Sequence, residues 1–289
     1  MHNRREWGEL PAMTLVGAQQ WIQQGSPNDS GWQVPEHTVE EISLKAAAFA
    51  IVIPVLNEGD RLSLQLARMK TFVADCDVIV ADGNSTDEGT TADRMRPFGV
   101  RTILRKLGGP RGLSTGMRMG YAYALREGYF GIIQLDGNGK DGVEAIPEYV
   151  RLLREGADCV LGSRYLPGGA SVNTPWMRDI AIRFVHAPLI SLAAGRRMTD
   201  TTNSFRAFSR RFLLDPRVQP FRDVFIGYNL PYYLAVRAAR LGYHVEDVAV
   251  VRAYPTNERV PTKIRGLTSH LGIMIEVLST LGGLYDPDR

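Results

Sequence analysis

Residues 48–62 read AFAIVIPVLNEGDRL. The run from Ala48 to Val55 is short, β-branched and uninterrupted by charge, as a strand buried on both faces requires, and from Asp60 onward (DRLSLQLARMKTFV) apolar residues recur at helical spacing. A buried strand feeding directly into an amphipathic helix is the first half of a β-α-β unit. Its consequence is positional: Pro54, Leu56, Asn57 and Glu58 fall where the strand ends.

Working outward, the unit repeats. CDVIVADGN, VRTILR, GIIQLDGN and DCVLGSR read as four more strands, with helical patterns in GLSTGMRMGYAYALREG and VEAIPEYVRLLREG. Farther on, TPWMRDIAIRFVHAPLISLAAG reads as a helix broken at Pro188, NSFRAFS as a short strand, YNLPYYLAVRAARLG as a helix closing on Gly242, and YHVEDVAVV as a strand. This rhythm predicts an α/β fold of Rossmann-like type, with a mainly parallel sheet, helices on both faces, and functional loops at the carboxyl ends of the strands. Residues 1–46 form an N-terminal extension without clear period, expected to pack through Trp7, Trp21 and Trp32; residues 47–265 carry the domain; and 266–289 form a terminal amphipathic piece interrupted by glycines.

Composition bounds the function. With 289 residues and 44% hydrophobic content the chain supports a core, so disorder is not the default reading. Cys76 and Cys159 each lie inside an apolar run, which predicts reduced, packed thiols and a cytoplasmic setting. No apolar run approaches bilayer-spanning length, so a membrane contact would be peripheral, at the inner face. Residues 196–265 hold thirteen Lys or Arg against six Asp or Glu, which points to an anionic partner or to a solvated basic face. The basic residues are not interleaved with aromatics in a nucleic-acid module, so no nucleic-acid partner is expected.

The strand ends carry the chemistry. The first offers Glu58, the second Asp82 in a turn with Asn84, Ser85, Thr86 and Asp87, and the fourth Asp136. Each alone reads as a turn; three at one sheet edge outline a nucleotide pocket. KLGGPRGLSTGMRMG lacks both GxGxxG and a Gly-Lys-Ser/Thr ending, so its glycines are read as allowing close backbone approach while Arg111 reaches outward. The same absence weighs against a nucleotidyltransferase.

In order and spacing, IVIPVLNEGDRL, VIVADGNSTDEGT, the Gly-rich turn, QLDGNGKDG, VLGSRYLPGG and TDTTNSFRAFSRR resemble the family 2 glycosyltransferases, most of all the branch of dolichyl- or polyprenyl-phosphate sugar synthases. The resemblance covers residues 48 to about 265. It implies a GT-A fold, a nucleotide-diphosphate-sugar donor, inversion at the anomeric carbon and a Mg²⁺ or Mn²⁺ ion. Carried over, it places Pro54, Leu56 and Glu58 at the nucleoside, Asp82 at base or ribose, and Asp136 with Asn138 at the diphosphate and its metal.

This chain departs from that pattern at the loop of Asp136. A hard divalent ion prefers carboxylates, yet an amide stands at Asn138 and a cation follows at Lys140. One reading has Lys140 sharing the neutralisation of the leaving diphosphate, which weakens metal dependence; the other points Lys140 into solvent. For a polyprenyl phosphate acceptor, the resemblance indicates Arg164, Arg178, Arg206, Arg259 and Lys263. For a hydroxyl of a glycan or small metabolite, Asp200 is the candidate base, with an N-cap or turn role as the alternative. A nucleotide-sugar-binding protein without catalysis also stays open, and the terminal helix could rest on a membrane, pack, or form a dimer contact.

Overall fold

The computed structural model describes residues 27–255 and 266–287; Trp7, Trp21, Arg259 and Lys263 lie outside them. Ten strands and nine α-helices are assigned among the described residues. In chain order they are β1 (His37–Glu41), β2 (Phe49–Val55), α1 (Asp60–Met69), β3 (Cys76–Asp82), α2 (Ala92–Met95), β4 (Val100–Lys106), α3 (Leu113–Arg126), β5 (Gly131–Gln134), α4 (Ile146–Arg154) and β6 (Cys159–Ser163). Then follow β7 (Ala170–Val172), α5 (Trp176–Ala181), α6 (Ala187–Ala194), β8 (Arg206–Ser209), α7 (Arg210–Leu213), α8 (Asn229–Arg240), β9 (Val245–Ala249), β10 (Val251–Ala253) and α9 (Gly266–Leu281).

Eight strands make one sheet in the order β1-β4-β3-β2-β5-β8-β6-β9. Only β1 and β8 run against the rest. The reversal of β8 follows from its connection: the chain leaves β6 at the carboxyl edge and, after α5 and α6, re-enters the sheet from that same side. Residues 199–205 are therefore kept at the functional edge. The N-terminal extension does more than pack through tryptophan, although Trp32 does stack on Phe221 at 4.0 Å. Its residues 37–41 add an antiparallel strand to β4, and the exposed side of that edge strand carries charge, as an unpaired edge should.

Alternation along the central strands feeds two cores. Ala50 and Val52 face one, built with α3, α6, α8 and α9; Phe49, Ile51, Ile53 and Val55 face the other, built with α1 and α4. Helix α3 lies unusually close to β2, because a Cβ at Gly120 would stand 2.4 Å from Val52 Cγ1. The break in the 176–194 segment comes before Pro188, not at it: a π turn at Ile182–His186 separates α5 from α6, and Pro188 sits in the first turn of α6, where its missing N–H costs nothing. Both cysteines are buried and free. No helix among the described residues is long and apolar enough to cross a membrane.

Candidate functional site

The carboxyl ends of β3, β2 and β5, adjacent in the sheet, deliver three loops that interlock. Asn57 takes a positive φ and donates its N–H to Ser85 Oγ at 2.9 Å, while its side-chain oxygen accepts from Thr86 N at 2.7 Å. The Gly59 N–H donates to Asp87 Oδ2 at 2.9 Å. Glu58 is half-buried beside Arg61. Asp82 is 0% exposed, and its oxygens accept from Ser85 N at 2.8 Å, Thr90 Oγ1 at 2.5 Å and Arg105 Nη1 at 2.9 Å. This carboxylate, expected at base or ribose, ties its own loop to Arg105 of β4.

The loop after β5 is held from both sides. From α1, Gln65 Nε2 donates to the Asp136 carbonyl at 2.7 Å and Gln65 Oε1 accepts from Gly139 N at 2.8 Å. Arg68 adds bonds to the carbonyls of Gly139 at 3.0 Å and Asp141 at 2.8 Å. On the other side, Asp141 bridges Arg252 of β10, the Gly142 N–H donates to Val251 O at 2.8 Å, and Ala253 N–H to Lys140 O at 3.0 Å. A loop fixed along its length presents its side chains in one arrangement.

Those side chains form an ion cluster. Arg252 Nη2 donates to Asp136 Oδ2 at 2.8 Å and Nη1 to Asp141 Oδ1; Asn138 turns its amide nitrogen to the same Asp136 oxygen at 3.1 Å. Ser204, from the segment entering β8, also bonds Asp136. Burial opposes the charge on Asp136, but Arg252 and then Lys140 outweigh it and hold the carboxyl below its usual range. Lys140 does not point into solvent: it is 6% exposed, with Nζ 4.9 Å from the Tyr254 ring centroid, and burial followed by Arg252 brings it down to about 8. Arg178 of α5 lies 6.0 Å from the same ring. Tyr228 feels the charges of Asp136, Arg178, Glu276 and Glu58 together, so these groups share one neighbourhood.

The remaining predicted residues have other partners. Arg164 and Asp200 meet in a buried two-pronged pair, Nε to Oδ2 at 2.6 Å and Nη2 to Oδ1 at 2.8 Å. Each side chain is buried with the other as its partner. Arg206 is buried and donates to the carbonyls of Asn203 at 2.8 Å, Thr201 at 2.6 Å and Pro231, tying β8 to α8. Arg111 is exposed, and Pro54 and Leu56 are half-buried at the end of β2.

A family model described as glycosyl transferase family 2 matches residues 50–215. The chain is a family 2 glycosyltransferase. Among curated proteins, this glycosyltransferase is 29% identical to an undecaprenyl-phosphate mannosyltransferase of Micrococcus luteus, covering 69% of this chain and 81% of the relative. It is 28% identical to a polyprenol monophosphomannose synthase of Mycolicibacterium smegmatis, covering 69% and 75%. Among solved structures, glucosyl-3-phosphoglycerate synthase of Mycobacterium tuberculosis with bound UDP superposes with a TM-score of 0.59 at 19% identity, over 82% and 81% of the two chains. That likeness establishes the GT-A fold.

Crystals of the same synthase contain Mn²⁺ or Mg²⁺. In the present glycosyltransferase the corresponding expectation rested on Asp136 and Asn138, and the donor set does not make a conventional cation site. One Asp136 oxygen already serves Arg252 and Asn138, the Asn138 oxygen accepts from Lys140 N at 3.3 Å, and Asp141 is engaged by Arg252. Among the described residues no group of three or more His, Cys, Asp or Glu could hold a metal. Sequence reading passed over Gln65, Arg68, Asp141 and Arg252. Gln65 did leave a signal: it is a polar residue on the stripe formed by Leu62, Leu66 and Met69.

Proposed function

We propose that this glycosyltransferase moves a sugar, with inversion, from a nucleotide-diphosphate donor seated at Glu58 and Asp136 to a polyprenyl phosphate. The observation that carries the reading is the pairing of Asp200 with Arg164. A hydroxyl acceptor needs a carboxylate free to take its proton, and Asp200, the candidate, is buried against a guanidinium. A phosphate oxygen is already a nucleophile and needs only placement and charge neutralisation. Lys140 and Arg178, gathered around Tyr254, supply cations for both phosphate groups. The acceptor oxygen attacks the anomeric carbon while the bond to the leaving diphosphate breaks; a single displacement inverts the centre.

The names of the curated relatives support the lipid phosphate, and the surface beside Arg178 supports a peripheral membrane contact. Trp176 and Phe184 are 70% and 74% exposed, and Leu192 on α6 and Leu271, Ile275 and Leu278 on the neighbouring α9 are exposed as well. An apolar face of this kind, next to basic side chains, suits the interfacial layer of a bilayer. The test is incubation with nucleotide sugars and either a short prenyl phosphate or an alcohol, with mass spectrometry of products. A prenyl-phosphate sugar is expected; transfer to the alcohol alone contradicts the reading.

A further inference from the structure

We propose that Arg252 is a built-in counter-cation of the donor site, standing between Asp136 and Asp141 in place of a divalent ion, so that nucleoside diphosphates bind without metal. This rests on reading the loop after β5 as the donor site. The guanidinium is buried, contacts both carboxylates through separate nitrogens, and is set in place by the backbone bridge between Asp141 and Arg252. Gln65 and Arg68 fix the opposite side, so the carboxylates cannot easily part to admit an ion.

Charge counting agrees with geometry. A loop built to capture a divalent cation carries uncompensated negative charge. Here the two carboxylates meet Arg252 and Lys140, with Arg178 adding a third cation close by. Asp136 and Asp141 are therefore matched by Arg252 and Lys140 before any ligand arrives. A divalent ion would have to displace a buried guanidinium from its partners, which leaves an unpaired charge in a low-dielectric site. A diphosphate meets no such obstacle, because the carboxylates it approaches are already neutralised.

Calorimetry of GDP, UDP, ADP, CDP and dTDP binding to the full chain, with excess Mn²⁺ and with EDTA, tests the proposal. The expected result is at least one diphosphate whose Kd agrees within about threefold between the two conditions. In Arg252→Met, metal-free binding of that diphosphate should weaken by roughly tenfold or more, and Mn²⁺ should restore it, a rescue that a merely structural role would not give. Should Arg252→Met not fold, Arg252→Lys keeps a cation between the two carboxylates and is expected to retain metal-free diphosphate binding. Wild-type binding only with Mn²⁺, equal metal-free binding by Arg252→Met, or binding by Arg252→Lys only with Mn²⁺ overturns the proposal. Absence of binding under both conditions overturns the donor-site reading, and this proposal with it.

Discussion

Arg164 and Asp200 show how a residue's partner decides its use. Both were chosen from sequence as groups that touch substrate, and neither side chain has solvent exposure above 1%. Their worth is expected to appear in stability: Asp200→Asn or Arg164→Met should cost about 3–5 kcal/mol in urea unfolding, because each leaves a buried charge unmatched. An Asp200→Asn variant with wild-type stability and no turnover would instead give the carboxylate a base's role. Glu276 makes a prediction in pH. Burial lifts its carboxyl from the ordinary 4.5 to about 7, against the pull of the Tyr228 N–H. The folded state therefore holds this proton more tightly than the unfolded one, and the residue's contribution to stability is full below about 4.5 and declines as pH rises towards about 7. Glu276→Gln should match wild type in thermal melts at acidic pH and exceed it above neutrality; equal melts at every pH would contradict this.

Helix α3 and strand β10 teach different lessons at the scale of elements. The close seating of α3 on β2 follows from small residues legible in the sequence, and Gly120→Ala should cost about 1–3 kcal/mol by pressing a methyl group against Val52. Chemical denaturation checks it; an unchanged midpoint would mean that the helix can lift off the sheet freely. Strands β2 to β6 were also legible, since uninterrupted β-branched runs have few other solutions. The partner of Asp136 was not. Arg252 lies 116 residues away on a three-residue strand, and only tertiary pairing brings its guanidinium to the loop. The same applies to β1, whose alternating HTVEE pattern says nothing of which edge it joins. Local patterns fix elements and the edge where a site lies, whereas the charges that complete the site come from pairings no local pattern encodes.

As a whole, the molecule sets a polar edge beside an apolar flank. The charges of Glu58, Asp136 and Arg178 all reach Tyr228, and Arg178 sits on the helix that also carries Trp176, Met177 and Ile180 outward. If that flank meets a bilayer, Trp176→Ser with Phe184→Ser should reduce co-sedimentation with anionic vesicles roughly tenfold while leaving diphosphate binding unchanged. Undiminished sedimentation would move the contact elsewhere. The most direct test of the central claim remains product analysis: nucleotide sugars offered with a short polyprenyl phosphate and a matched polyprenol in one reaction, resolved by mass spectrometry. The account predicts a sugar joined to the phosphate and none on the alcohol; glycosylated polyprenol without the phosphate product would contradict it.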